Sequence, residues 1–106
     1  MTNNIARLYE LTGVDSVGFN TYTLEDEYPP FTAEKQLELI KFISNFKVYE
    51  TLKQMGGKWF MCASIGCNDY YEARNTNFSQ ALASLVIELY NDLTEQQRNE
   101  VKEILK

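Results

Sequence analysis

The feature that most constrains this chain is one uninterrupted helical stripe near its C-terminal end. Phe78, Ala81, Leu82, Leu85, Val86, Leu89 and Tyr90 recur at i, i+3, i+4, i+7, i+8, i+11 and i+12 behind Asn77, a good N-cap. A stripe that complete must be buried against something, and in a chain of 106 residues there are few partners to choose from. Residues 46–53 and 58–66 offer one. Phe46, Val48, Tyr49 and Thr51, then Trp59, Phe60, Cys62 and Ile65, have strand composition. Gly56-Gly57 between them supplies the positive φ of a tight hairpin turn. Gly66-Cys67-Asn68-Asp69 reads as a second turn leading into a third strand at about 70–74. The pattern thus predicts an α+β fold: a three-stranded antiparallel meander (about 46–53, 58–66, 70–74) packed with helices.

Besides the helix at about 78–91, three more are expected. Ile5, Leu8, Tyr9 and Leu11-Thr12 form a short amphipathic run at 4–12 that Gly13 can end. Thr32 caps a helix of about 33–45, with Glu34 in its first turn and Leu37, Ile40 and Ile43 at three-residue spacing, widened by Leu39 and Phe42. Thr94-Glu95-Gln96-Gln97 matches a capping box and opens a helix of about 95–105, whose inward set is Val101, Ile104 and Leu105. Between the first two helices, residues 13–31 read as a long connection punctuated by Gly18, Asn20, Asp26 and Pro29-Pro30. With no repeat or low-complexity tract, the expected organisation is one α+β domain over 1–106, carrying an acidic helix and loop at 1–31.

The formal charge of -5 is unevenly placed. From Leu8 to Glu34 there is no Lys or Arg, while Glu10, Asp15, Glu25, Asp26, Glu27 and Glu34 lie there; the other nine acids stand against all ten basic residues. Tyr9, Phe19, Tyr22, Tyr28 and Phe31 are interleaved with those acids. Carboxylates beside aromatic rings suit a basic protein surface, although the same run also serves simply as a solvated, solubilising loop. The sign of the charge argues against direct gripping of duplex phosphate. A weaker nucleic-acid reading uses the sheet, with Lys47, Lys53 and Lys58 beside Tyr49, Phe60 and Tyr71 as a single-strand platform.

Residues able to carry a reaction are sparse. There is no histidine, so imidazole base catalysis and the commonest metal ligand are missing. Cys62 and Cys67 are the only thiols, and with Asp69 and Glu72 they form C-x4-C-x-D-x2-E, a donor set that would take zinc only in an unusual combination. The alternation of the strand sets Cys62 on the face opposite Trp59, Met61 and Ile65, which suits a small buried apolar group. Glu25-Asp26-Glu27 lacks both the alternating ligands of a calcium loop and the sheltered partner of a catalytic carboxylate pair. No catalytic residue is assigned, no cofactor is expected, and a non-enzyme is anticipated. The start of the chain carries no apolar leader and no segment approaches bilayer length, so reduced thiols and a cytoplasmic setting without membrane contact are expected.

Phe31-Thr32-Ala33-Glu34-Lys35-Gln36-Leu37-Glu38-Leu39-Ile40, Phe78-Ser79-Gln80-Ala81-Leu82-Ala83 and Leu93-Thr94-Glu95-Gln96-Gln97 resemble blocks of small acidic early-region proteins of phages and prophages from low-GC Gram-positive bacteria. The resemblance covers about residues 29–106. Some small acidic proteins of that setting are anti-CRISPR inhibitors, which bind the type II RNA-guided nuclease and block DNA loading or cleavage. It therefore implies a stoichiometric, non-enzymatic inhibitor of host defence with a host nuclease as partner. The expected binding residues are Asp15, Tyr22, Glu25, Asp26, Glu27 and Tyr28, in a monomer or homodimer. The alternative is a phage accessory or regulatory module that binds another phage or host protein, or single-stranded nucleic acid through the sheet.

Overall fold

The computed structural model describes residues 4–14, 31–46, 48–53, 56–66 and 69–106, with 48, 49, 52 and 53 described in their backbone alone. In chain order the described elements are α1 (Asn4–Thr12), α2 (Ala33–Ser44), β1 (Val48–Lys53), β2 (Trp59–Ser64), β3 (Tyr71–Asn75), α3 (Phe78–Tyr90) and α4 (Glu95–Leu105). This is the α+β arrangement expected from the pattern, with the first two strands slightly shorter than their apolar composition suggested and the third displaced by one residue. Phe46 and Ile65 lie outside the ladder and pack against the core from its ends.

The sheet has the order β1-β2-β3, antiparallel throughout, with Thr51, Met61 and Ala73 in one cross-strand row and Glu50, Cys62 and Glu72 in the next. Gly56 (φ +87°) and Gly57 (φ +81°) lie in the β1–β2 connection, in a backbone region that a side chain would strain. The row holding Met61 and Ala73 belongs to the face covered by α3, whose small residues Ser79, Ala81 and Ala83 are buried along with Leu82, Leu85, Val86 and Leu89. The helix is therefore enclosed on more than the single stripe the periodicity indicates: sheet on one side, α1 on another. Trp59 meets Phe78 edge to face at 5.0 Å where sheet and helix join.

Side-chain hydrogen bonds hold the other helices to this centre. The Asn4 amide N–H donates to Gln80 Oε1 (2.7 Å), fixing the start of α1 on α3. Ser79 Oγ accepts from the Phe31 amide (3.2 Å) and from Gln36 Nε2 (2.6 Å), which anchors the chain entering α2. Tyr9 joins three helices: its hydroxyl donates to the Leu105 carbonyl (3.2 Å) and accepts from Lys35 Nζ (3.0 Å). Arg98 donates from Nε to the Tyr90 carbonyl (3.0 Å) and from Nη2 to that of Asn91 (2.9 Å), so α4 satisfies carbonyls left open at the end of α3.

The caps read from sequence are present. Thr32 accepts from the Lys35 amide, Asn77 from that of Gln80, and Thr94 and Gln97 close the reciprocal capping box. Gly13, at φ +73°, ends α1 and donates to the Tyr9 carbonyl (3.0 Å). One helical phase differs from expectation. Leu37 is 52% exposed, whereas Leu39, Phe42 and Ile43 are buried. A three-residue step falls 60° short of a full turn, so counting back from buried Ile43 through half-buried Ile40 the series rotates off the inward face and leaves Leu37 outside. Leu11 is likewise 44% exposed, beside the inward-facing Thr12.

Candidate functional site

Asp15, Tyr22, Glu25, Asp26, Glu27 and Tyr28, the expected partner-binding residues, all lie outside the described residues. The last acid of the same basic-free stretch does not. Glu34 sits in the first turn of α2, and from there the acidic character continues onto a surface that the structure describes.

That surface is the groove between α2 and α4. One hollow of about 490 Å³ is bounded by Glu38, Lys41, Phe42, Asn45, Glu100 and Ile104 among others; a second, of about 430 Å³, includes Glu34, Lys35, Glu38, Glu103 and Ile104. Glu38, Glu103 and Ile104 belong to both, so the two hollows form one continuous trough. Its floor is apolar, since Phe42 is buried and Ile104 half-buried against the core. Carboxylates stand along both rims.

The charges on those rims are unequally engaged. Lys41 pairs with Glu38 on its own helix (3.7 Å), and Lys106 pairs with Glu103 (3.0 Å). Lys35 is drawn to the Tyr9 hydroxyl and lies 5.6 Å from the centre of its ring. Glu34 and Glu100 have no ion pair among the described residues. The groove thus carries four carboxylates and three lysines around an apolar floor, a small acidic excess.

Two of the described members of the candidate zinc set, Asp69 and Glu72, have other partners. Asp69 accepts from the Gly66 amide (2.7 Å) and from Ser64 Oγ (3.1 Å), closing the turn after β2. The Gly66 bond, helped by Ser64, holds its carboxyl below the usual aspartate value despite an opposing effect of desolvation. Glu72 is Cys62's register partner but pairs with Arg74 at 3.6 Å. Cys62 is 4% exposed on the sheet face away from α3, as the alternation of β2 indicates. A hydrogen bond with its sulfur, followed by desolvation and the charges of Cys62 and Glu72, pushes the Tyr70 hydroxyl up to about 12. Cys67 lies outside the described residues, and among those described no three His, Cys, Asp or Glu residues gather as a metal set.

The single-strand platform is not assembled as expected. Tyr71 pairs with Ala63 and packs against the core, while Phe60, one register step off that parity, is on the opposite face beneath Arg74 (4.7 Å). Lys58 is exposed in the β1–β2 connection and Lys47 lies outside the described residues. Tyr70 is 59% exposed.

The sequence reading missed the groove. Glu34 and Glu38, and likewise Glu100 and Glu103, have the spacing that puts acids on one helical face. What the spacing does not reveal is that α2 and α4 lie side by side. No described helix is long and apolar enough to cross a membrane. No protein-family model, curated protein or solved structure matches the chain significantly.

Proposed function

We propose that this chain is a non-enzymatic, phage-encoded inhibitor that binds a host type II RNA-guided nuclease stoichiometrically in the bacterial cytoplasm and hinders DNA loading or cleavage. The observation that carries the reading is the unequal engagement of charge on the α2–α4 rim. The lining carries Glu34, Glu38, Glu100 and Glu103 against Lys35, Lys41 and Lys106, and Glu34 and Glu100 stand outside any ion pair among the described residues. In sequence, Glu34 is the last acid of the stretch without Lys or Arg that also contains Glu25, Asp26 and Glu27. A nuclease that threads a guide–target heteroduplex presents strongly basic channels, and an acidic surface is steered to them and competes with phosphate.

Cleavage of a matched DNA target by guide-loaded type II nuclease from a low-GC Gram-positive host, titrated with the protein, tests this. Inhibition is expected to be complete near equimolar protein and to weaken as salt rises. Full cleavage at low salt under a large excess of protein would overturn the proposal.

A further inference from the structure

The sheet order β1-β2-β3 pairs β3 with β2 on one side, and no described strand pairs with its other side. Such an edge offers backbone N–H and C=O groups to a further strand. Charges of one sign along an edge repel a second copy, but β3 carries one of each sign, Glu72 and Arg74, both exposed. We infer that the chain forms a two-fold dimer in which β3 pairs antiparallel with β3 of a second copy, Ala73 opposite Ala73, joining the two sheets into one.

Register selects this partner. Directly opposed residues of an antiparallel ladder share a face, so the two-fold axis between identical strands passes through a residue. With the axis at Ala73 the whole of Tyr71–Asn75 is paired, and each Glu72 faces Arg74 of the other copy. Moving the axis to Glu72 or to Arg74 sets like charges face to face and leaves part of the strand unpaired. The register with the most backbone pairing is thus also the one with opposite charges across it. In β1, the other edge, Glu50 and Lys53 are an odd number of positions apart, so no register of β1 on its own copy sets them opposite. The contact between Arg74 and Glu72 within one chain, at 3.6 Å between side chains 52% and 44% exposed, is a weak surface pair that leaves both groups open to a second copy. Arg74 also lies over the Phe60 ring (4.7 Å), which keeps its guanidinium on the sheet face where Glu72 of the other copy arrives.

Sedimentation equilibrium of the whole protein, from micromolar to millimolar concentration, tests the inference. Twice the 12.3 kDa of one chain is expected at the upper end. Glu72→Lys makes both cross-strand pairs positive and Arg74→Glu makes both negative, so each should weaken self-association about tenfold or more. Two combinations should restore it. One is the double variant Glu72→Arg with Arg74→Glu, which exchanges the charges within each chain. The other is an equimolar mixture of the two single variants, in which every positive side chain faces a negative one across the axis. A protein that stays at monomer mass throughout, its edge left to a strand of some other protein, would overturn the inference. So would a dimer that both reversals leave intact, or single variants that stay apart when mixed. The masses are read without nuclease, so they and the inhibition assay succeed or fail separately.

Discussion

Ser79 is a polar residue at a position where the helical stripe would accept alanine, and it is 2% exposed. Its hydroxyl accepts from the Phe31 amide and the Gln36 side chain, so it satisfies the backbone where the chain enters α2. Ser79→Ala leaves that buried N–H without its partner, and a loss of about 1–3 kcal/mol in urea unfolding is expected. Tyr71 shows a different effect of a single partner. The acceptor Asp92 beside its hydroxyl, reinforced by desolvation and the charges of Asp92 and Asp69, raises its pKa from the ordinary 10.0 to about 12. Because the folded value is the higher one, the bond's contribution to stability is complete below pH 10 and is lost as pH rises through about 12. An ultraviolet titration of Tyr71→Phe should lack one of the late-ionising phenols, and Asp92→Asn should bring Tyr71 back toward its ordinary value. Asp69 runs the other way. Its lowered pKa gives a contribution present above the ordinary carboxylate range and lost as pH falls through the folded value, so Asp69→Asn should flatten the acid limb of the stability curve.

At the scale of elements, the helices were the legible part, because each carries its own boundary chemistry. Thr94→Ala removes half of a reciprocal cap and should cost about 1 kcal/mol, read from the same urea transitions. The phase of α2 was less legible. Leu37 and Leu39 are the same residue type two positions apart, and the 37, 40, 43 spacing gave no reason to prefer the second. Packing decides it, since α2 must turn Leu39, Phe42 and Ile43 toward its neighbours. Leu39→Ala should therefore cost about 2–5 kcal/mol, while Leu37→Gln should stay within about 0.5 kcal/mol. The strands were recognisable from composition and the Gly56-Gly57 turn. Their faces were misassigned at Phe60 and Tyr71 because those two lie on different strands, and only the register relates them. The groove was illegible for a related reason. Each of its walls is an ordinary charged helix face, and nothing in either segment announces that residues 33–44 and 95–105 are neighbours.

For the whole molecule, the charge distribution matters more than its total. The chain's excess acid is concentrated before residue 35, and its last member, Glu34, stands in the first turn of α2. If that stretch carries the interaction, reversing Glu25, Asp26 and Glu27 to lysine should weaken binding to the nuclease and make the remainder less sensitive to salt. Long-range attraction of exposed charges is the part that ions screen. The most direct measurement is calorimetric titration of the protein into guide-loaded nuclease at several salt concentrations. A fixed stoichiometric endpoint, with affinity falling steadily as salt increases and abolished by prior loading of target DNA, is the predicted result. No binding at the lowest salt, or an affinity indifferent to both salt and bound DNA, would contradict it.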